Sequence, residues 1–159
     1  AAELKYDNPG KAFIVGLLHD LCIPVIHKYF HTNFIEIAEK NRNENVPFIQ
    51  AEVEHLGYSH AEIGNFLCNK CNLPETICDS IQYHHSPHLA DSDKTLTAIV
   101  HLADFMTQKF NIGSFYWDEG VELDTHTLDI LKFESMEKLE IFMDGYKALF
   151  EEEANSKLF

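Results

Sequence analysis

The stretch Asn8-Pro-Gly-Lys-Ala-Phe-Ile-Val-Gly-Leu-Leu-His-Asp20 decides how this chain is read. An asparagine able to accept an orphan amide precedes a proline, whose fixed φ and missing N–H suit the first turn of a helix. Ala12, Phe13, Val15, Gly16, Leu17 and Leu18 then carry an apolar helix up to His19 and Asp20. An imidazole beside a carboxylate at a helix end has the donor types to share one metal ion, although neither residue is diagnostic alone.

Outward from that helix the pattern stays helical, with no run of period-two alternation bounded by hairpin turns, so the predicted class is all-α and the predicted architecture one compact helical domain. Helices are expected over residues 23–30, 33–42 and 47–56, divided by the polar Asn41-Arg-Asn-Glu-Asn45 and stopped by Gly57. Ser59-His-Ala-Glu62 reads as a capping box that starts a helix through Cys71 and puts His60 in its first turn. Asn72-Leu-Pro74 begins another, running through Ile77, Ile81 and Tyr83 to His84-His85 before Ser86-Pro87 ends it. A helix over about residues 95–110 carries His101 and Asp104 on one face, three residues apart.

After Gly113 the aromatic run Phe115-Tyr-Trp117 is expected in a loop folded back over the core rather than in a docking surface. A short helix should begin at Asp124 and a longer one at Ser135. Leu139, Phe142, Met143, Tyr146 and Leu149 form one stripe of that last helix, predicting that the tail, residues 123–159, packs on the same core. No internal repeat or low-complexity tract divides the 159 residues into a second domain.

Composition narrows the partners. Twelve basic against 26 acidic residues give a formal charge of −14, which repels nucleic-acid phosphates and anionic membrane surfaces, and no basic patch offsets it. The ten histidines, each adding one charge when protonated, would bring −14 to −4 as pH falls through the imidazole range. Cys22, Cys68, Cys71 and Cys78 lack the dense spacing of a secreted disulfide scaffold, which points to a reducing compartment, the cytoplasm by default. Cys68-Asn-Lys-Cys71 has zinc-like spacing, but no second pair completes four ligands, so free thiols are expected. No apolar run is expected to reach the roughly 20 residues of a membrane span.

The chemistry gathers in His19, Asp20, His60, His84, His85 and Asp104, spread over separate predicted helices. Imidazoles and carboxylates mixed in this way suit a divalent first-row metal, manganese, iron or zinc. Adjacent residues on a straight helix point apart, so only one of His84 and His85 is expected at such a site. Taken singly, each residue has an ordinary role: His19 bonding the last carbonyls of its helix, Asp20 capping the next turn, His60 beside a helix dipole. Taken together, the ordinary alternative is a polar cluster whose hydrogen bonds are satisfied inside the core. His27, His31, His55, His88 and His126 show no comparable pattern and are expected at the surface or in structural roles.

Gly16-Leu-Leu-His-Asp20, Glu54-His-Leu-Gly-Tyr-Ser-His-Ala-Glu-Ile-Gly64, Leu73-Pro-Glu-Thr-Ile77, Tyr83-His-His-Ser-Pro87 and Ile99-Val-His-Leu-Ala-Asp104 occur in that order. Together they resemble the HDOD domain, a branch of the HD superfamily, over about residues 13–110. The tail beginning Leu123-Asp-Thr-His-Thr-Leu128 resembles that family's C-terminal end. The resemblance implies an all-helical bacterial domain, often joined to signalling modules, that acts as a regulatory or output unit through protein partners. Members usually carry a further helical half upstream, which this chain is expected to lack.

Catalytic branches of the superfamily use such histidines and aspartates to hold metal ions that activate water against a phosphoester. By similarity His19, Asp20, His60, His84 or His85, and Asp104 fall on ligand positions. After the His-Asp pair, catalytic relatives commonly continue Ile-Gly-Lys, whereas this chain reads Leu21-Cys22-Ile23-Pro24 and lacks the cation that would steady a phosphate. After the doublet comes Ser86-Pro-His-Leu-Ala-Asp91 instead of the extended Gly-Tyr-Pro loop of the HD-GYP phosphodiesterases. The reading is therefore a non-catalytic signalling module with a possible metal-binding centre. Its competitor is a metal-dependent phosphohydrolase of a nucleotide or other phosphoester.

Overall fold

The computed structural model describes residues 1–111 and 122–155, and among these every regular element is a helix. In chain order they are α1 (Pro9–Leu18), α2 (Cys22–Tyr29), α3 (His31–Glu44), α4 (Phe48–Leu56), α5 (His60–Lys70), α6 (Glu75–Gln82), a 3-10 turn (Pro87–Leu89), α7 (Lys94–Lys109), α8 (His126–Leu131), α9 (Met136–Asp144) and α10 (Lys147–Asn155). The all-α class read from the sequence is the class observed. The aromatic run Phe115-Tyr-Trp117 lies outside the described residues.

Several helix ends follow local chemistry. Asn8 accepts the amide of Lys11 at 3.0 Å, and Pro9 occupies the first turn of α1 as its missing N–H allows. Gly57 ends α4 at φ +79°, a conformation that costs a residue with a Cβ roughly 1–2 kcal/mol. Both halves of the predicted capping box are present: Ser59 N–H donates to Glu62 at 2.8 Å, and Ser59 Oγ accepts the Glu62 amide at 3.3 Å.

Three apolar clusters hold the helices. Ala12, Val15, Cys68, Ile81 and Val100 join α1, α5, α6 and α7. Cys22, Ile26, Phe34, Ile37 and Phe48 join α2, α3 and α4, with Ile63 and Leu67 of α5 against them. Leu102 and Met106 of α7 pack on Leu139 and Met143 of α9, which seats the tail. The α5–α6 contact is close, since a Cβ on Gly64 would meet Ile81 Cγ2 at 3.0 Å.

Two expectations are corrected. Pro9–Tyr29 forms 21 residues of nearly continuous helix with mean hydropathy 1.4, long and apolar enough by length and composition to span a membrane. The axis is nevertheless broken at residues 19–21, and Val15, Cys22, Ile23 and Ile26 are buried in the helical core. The final helix also breaks, at Gly145 and Tyr146, so the stripe loses its register: Leu149 is half exposed, and Phe150 reaches the core beside Phe110 instead.

Candidate metal centre

Four segments deliver the six residues singled out in the sequence. The turn after α1 brings His19 and Asp20, the first residue of α5 is His60, the turn after α6 carries His84 and His85, and Asp104 faces in from α7. The ring nitrogen Nε2 of His60 lies 3.4 Å from that of His84 and 3.0 Å from that of His85. Asp20 Oδ1 sits 3.5 Å from His60 Nε2 and 3.6 Å from His84 Nε2, while Asp20 Oδ2 is 3.4 Å from His19 Nε2. Asp104 Oδ1 completes the ring at 3.8 Å from His19 Nε2.

Both members of the doublet reach the centre, against the expectation that one would point away. α6 ends at Gln82, so His84 and His85 sit in a turn where the 100° rotation between helical neighbours no longer applies. Their ring centroids are 3.9 Å apart.

The outer edges of the rings are held as tightly as the inner edges converge. His19 Nδ1–H donates to the Gly16 carbonyl at 2.7 Å, and His84 Nδ1–H to the Ile81 carbonyl at 2.6 Å. His60 Nδ1–H donates to Glu52 Oε2 at 2.6 Å. With Nδ1 engaged in this way, each ring turns Nε2 inward, and in its neutral form that nitrogen carries the bare lone pair a metal ligand needs. The ordinary role proposed for His19, bonding a carbonyl of its own helix, is thus compatible with ligation. Asp20 does not cap α2, whose N-cap is Leu21 without a side-chain bond.

Glu52 and His101 were not singled out in this role. Glu52 is fully buried on α4, yet its signal was legible, because Phe48, Ala51 and Glu52 lie at i, i+3 and i+4 and so place a carboxylate on the apolar stripe. His101, also fully buried, donates its Nδ1–H to the His84 carbonyl at 2.8 Å and accepts the Asp124 amide at Nε2 at 2.9 Å.

The electrostatics follow from this packing. Burial pulls His19 down but is outweighed by the Asp104 and Asp20 carboxylates beside it, which hold it at about 9. His60 is likewise raised against its burial, by Glu52 and then Asp20. Burial, reinforced by neighbouring imidazoles, pushes His84 and His85 well below the usual histidine range. Asp20 Oδ1 and Asp104 Oδ2 are buried without a hydrogen-bond partner. Converging imidazole lone pairs and orphaned carboxylate oxygens are the donor set a divalent transition metal satisfies. His60, His84, His85 and Asp20 would hold such an ion, with His19 and Asp104 beside it; when bound it would polarise a water or a phosphate oxygen.

Elsewhere, Cys22, Cys68 and Cys78 are buried free thiols and Cys71 is exposed, as expected for unpaired cysteines. Burial pushes Cys22 up to about 12 and Cys68 to about 11, so neither offers a thiolate near neutrality. His27 packs edge-on against His31 and Phe34, and His55 bonds the Ala51 carbonyl. His88 and His126 lie at the surface, as expected, and both bond to Asp124.

Against this geometry, a family model of the HDOD domain matches residues 1–87, more than half of the 159. The chain belongs to the HDOD domain family. An uncharacterised protein of Treponema pallidum (strain Nichols) is 28% identical over 143 residues, covering 89% of the HDOD chain and 27% of that relative. The crystal structure of an HDOD domain protein with unknown function from Geobacter sulfurreducens superposes with a TM-score of 0.79 at 24% identity, covering 96% of this chain and 55% of that one. At that identity the likeness concerns the fold. The HDOD chain spans about a quarter of the first protein and about half of the second. The family match stops at Pro87, ahead of Asp104, which the fold returns to the centre through α7.

Proposed function

We propose that this HDOD chain is a bacterial regulatory module that acts through protein contacts, and that its histidine–aspartate centre holds a divalent transition metal as an organising element rather than a hydrolytic one. The observation that carries the reading is the place of Ile23. It stands where catalytic relatives commonly have lysine, and its side chain is 2% exposed in the apolar cluster of α2, α3 and α4. A cation there would be buried away from the centre, so the charge of a phosphoester would have to be met by metal alone. Among the described residues, each ion pair of the cluster joins a histidine to a carboxylate.

Protein contact is supported by the outer face of α1. Phe13 and Leu17, one turn apart, are each 72% exposed, with Ile14 beside them. Such a row suits another helix laid along it. The test uses the protein carrying a photo-crosslinking benzoylphenylalanine at position 13. Ultraviolet light should trap one defined protein segment, and the absence of any adduct would count against the contact.

The competing phosphohydrolase has its own support in Asp20, whose two oxygens face different imidazoles as a bridging carboxylate does. The deciding assay loads the protein with manganese, iron or zinc and measures release of phosphate from nucleotides and p-nitrophenyl phosphate. The regulatory reading expects no turnover that Asp20→Ala and Asp104→Ala remove; metal-dependent turnover lost in both variants would replace it with the enzyme.

A further inference from the structure

A second cluster lies outside the centre. His88 sits in the 3-10 turn that follows the doublet, whereas Asp124 and His126 stand at the start of the tail. His88 Nδ1 is 2.6 Å from Asp124 Oδ2, and His126 Nδ1 is 2.7 Å from Asp124 Oδ1. The two imidazole rings are stacked, with centroids 4.4 Å apart and planes 29° apart. Each residue offers one ligand atom, and all three atoms fall within 4.8 Å of one another. Asp124 also accepts the His126 amide at 2.9 Å, and its own amide donates to His101 at 2.9 Å. Lys94 Nζ donates to the His88 carbonyl at 2.8 Å. Both halves are therefore positioned before any ligand arrives.

We propose that His88, Asp124 and His126 form a second site for a divalent, imidazole-preferring transition metal, with zinc as the representative probe. Without metal, each Nδ1 shares a proton with the carboxylate. To ligate, each neutral ring moves that proton to Nε2, and the site makes this shift easy. The side chains of His88 and His126 are 37% and 59% exposed, so Nε2–H can be solvated by water. His19, His60 and His84 of the centre differ, because carbonyls and Glu52 hold their Nδ1 protons and leave Nε2 to bind. Two imidazoles and one carboxylate, open to water on one side, make a three-ligand site that one or two waters complete. An ion there ties the 3-10 turn that follows His84 and His85 to the first residues of the tail.

The test is zinc content after equilibrium dialysis, measured by inductively coupled plasma mass spectrometry. His88→Ala/His126→Ala should bind one zinc fewer per chain than the unchanged protein while keeping its helical circular dichroism. Equal content in the two proteins overturns the site. The result is a difference, so it holds however many ions the central cluster takes; Asp20→Asn/Asp104→Asn reports on that cluster separately and should keep the tail ion. If the double alanine variant fails to fold, His126→Gln serves, because this side chain is exposed. Loss of a direct ligand should weaken zinc binding by about 100-fold or more, the upper range for loss of a mere supporting partner. In the Asp20→Asn/Asp104→Asn background, zinc should raise the melting temperature, and adding His126→Gln should reduce that rise. A rise left undiminished by His126→Gln also overturns the proposal.

Discussion

A single oxygen of Glu52 accepts both the backbone N–H of His60, at 2.9 Å, and its ring Nδ1–H, at 2.6 Å, where neither side chain reaches water. The pairing ties α4 to the first residue of α5 and fixes the direction of the His60 lone pair. It also sets the tautomer of the ring that touches both members of the doublet.

Glu52→Ala should therefore act twice. It leaves two buried donors of His60 unsatisfied, a loss of about 1–3 kcal/mol for each group left bare. It also frees the ring to rotate, which should weaken zinc binding at the centre by about 10–100-fold. Glu52→Gln keeps a carbonyl oxygen for the same bonds and should fall between the two. Urea unfolding and zinc titration measure both effects; unchanged affinity in Glu52→Ala would remove Glu52 from the centre.

Stability of the metal-free protein should fall on both sides of an optimum near pH 6.5. His84, His85 and His101 have folded values below the ordinary 6.5, so they bind fewer protons folded than unfolded. Their neutral packing is complete above 6.5 and is lost as pH falls through the folded values. His19, raised to about 9, and His60, also raised, act in the opposite sense, with stability complete below 6.5 and lost as pH rises through the folded values. Each differentially bound proton changes the slope by about 1.4 kcal/mol per pH unit. Urea midpoints in chelator across this range check the shape, and His85→Ala should flatten the acid limb.

Metal affinity should rise as pH increases from 6.5 toward 9, because the ion must displace protons held by His19 and His60. Zinc titrations in buffers of different ionisation enthalpy count the protons released. Affinity independent of pH would mean that His60 does not ligate.

Gly64 lets α5 approach α6 and so sets the distance between His60 and the doublet. Gly64→Ala places a Cβ 3.0 Å from Ile81 Cγ2, and Ile81 is itself fully buried. Overpacking should outweigh the better helix propensity of alanine by about 1 kcal/mol, and Gly64→Val should destabilise by about 3 kcal/mol. Thermal melts give the order; a more stable Gly64→Ala would show that Ile81 has room to move.

Local chemistry determined a large part of this molecule. Asn8-Pro9, the Ser59–Glu62 capping box and Gly57 act within a few residues of themselves, so helix starts and stops were legible along the chain. The donor types of His19, Asp20, His60, His84, His85 and Asp104 were legible for the same reason. Their convergence depends on contacts between residues far apart in sequence, and these only packing decides. His85 joined the centre because α6 ended early, and Leu149 left the core because the last helix broke at Gly145. Nothing local linked His88 to His126, since the carboxylate they share arrives from 36 residues beyond His88. Interactions that span helices are set by how apolar faces bury one another, and no local spacing encodes that sum.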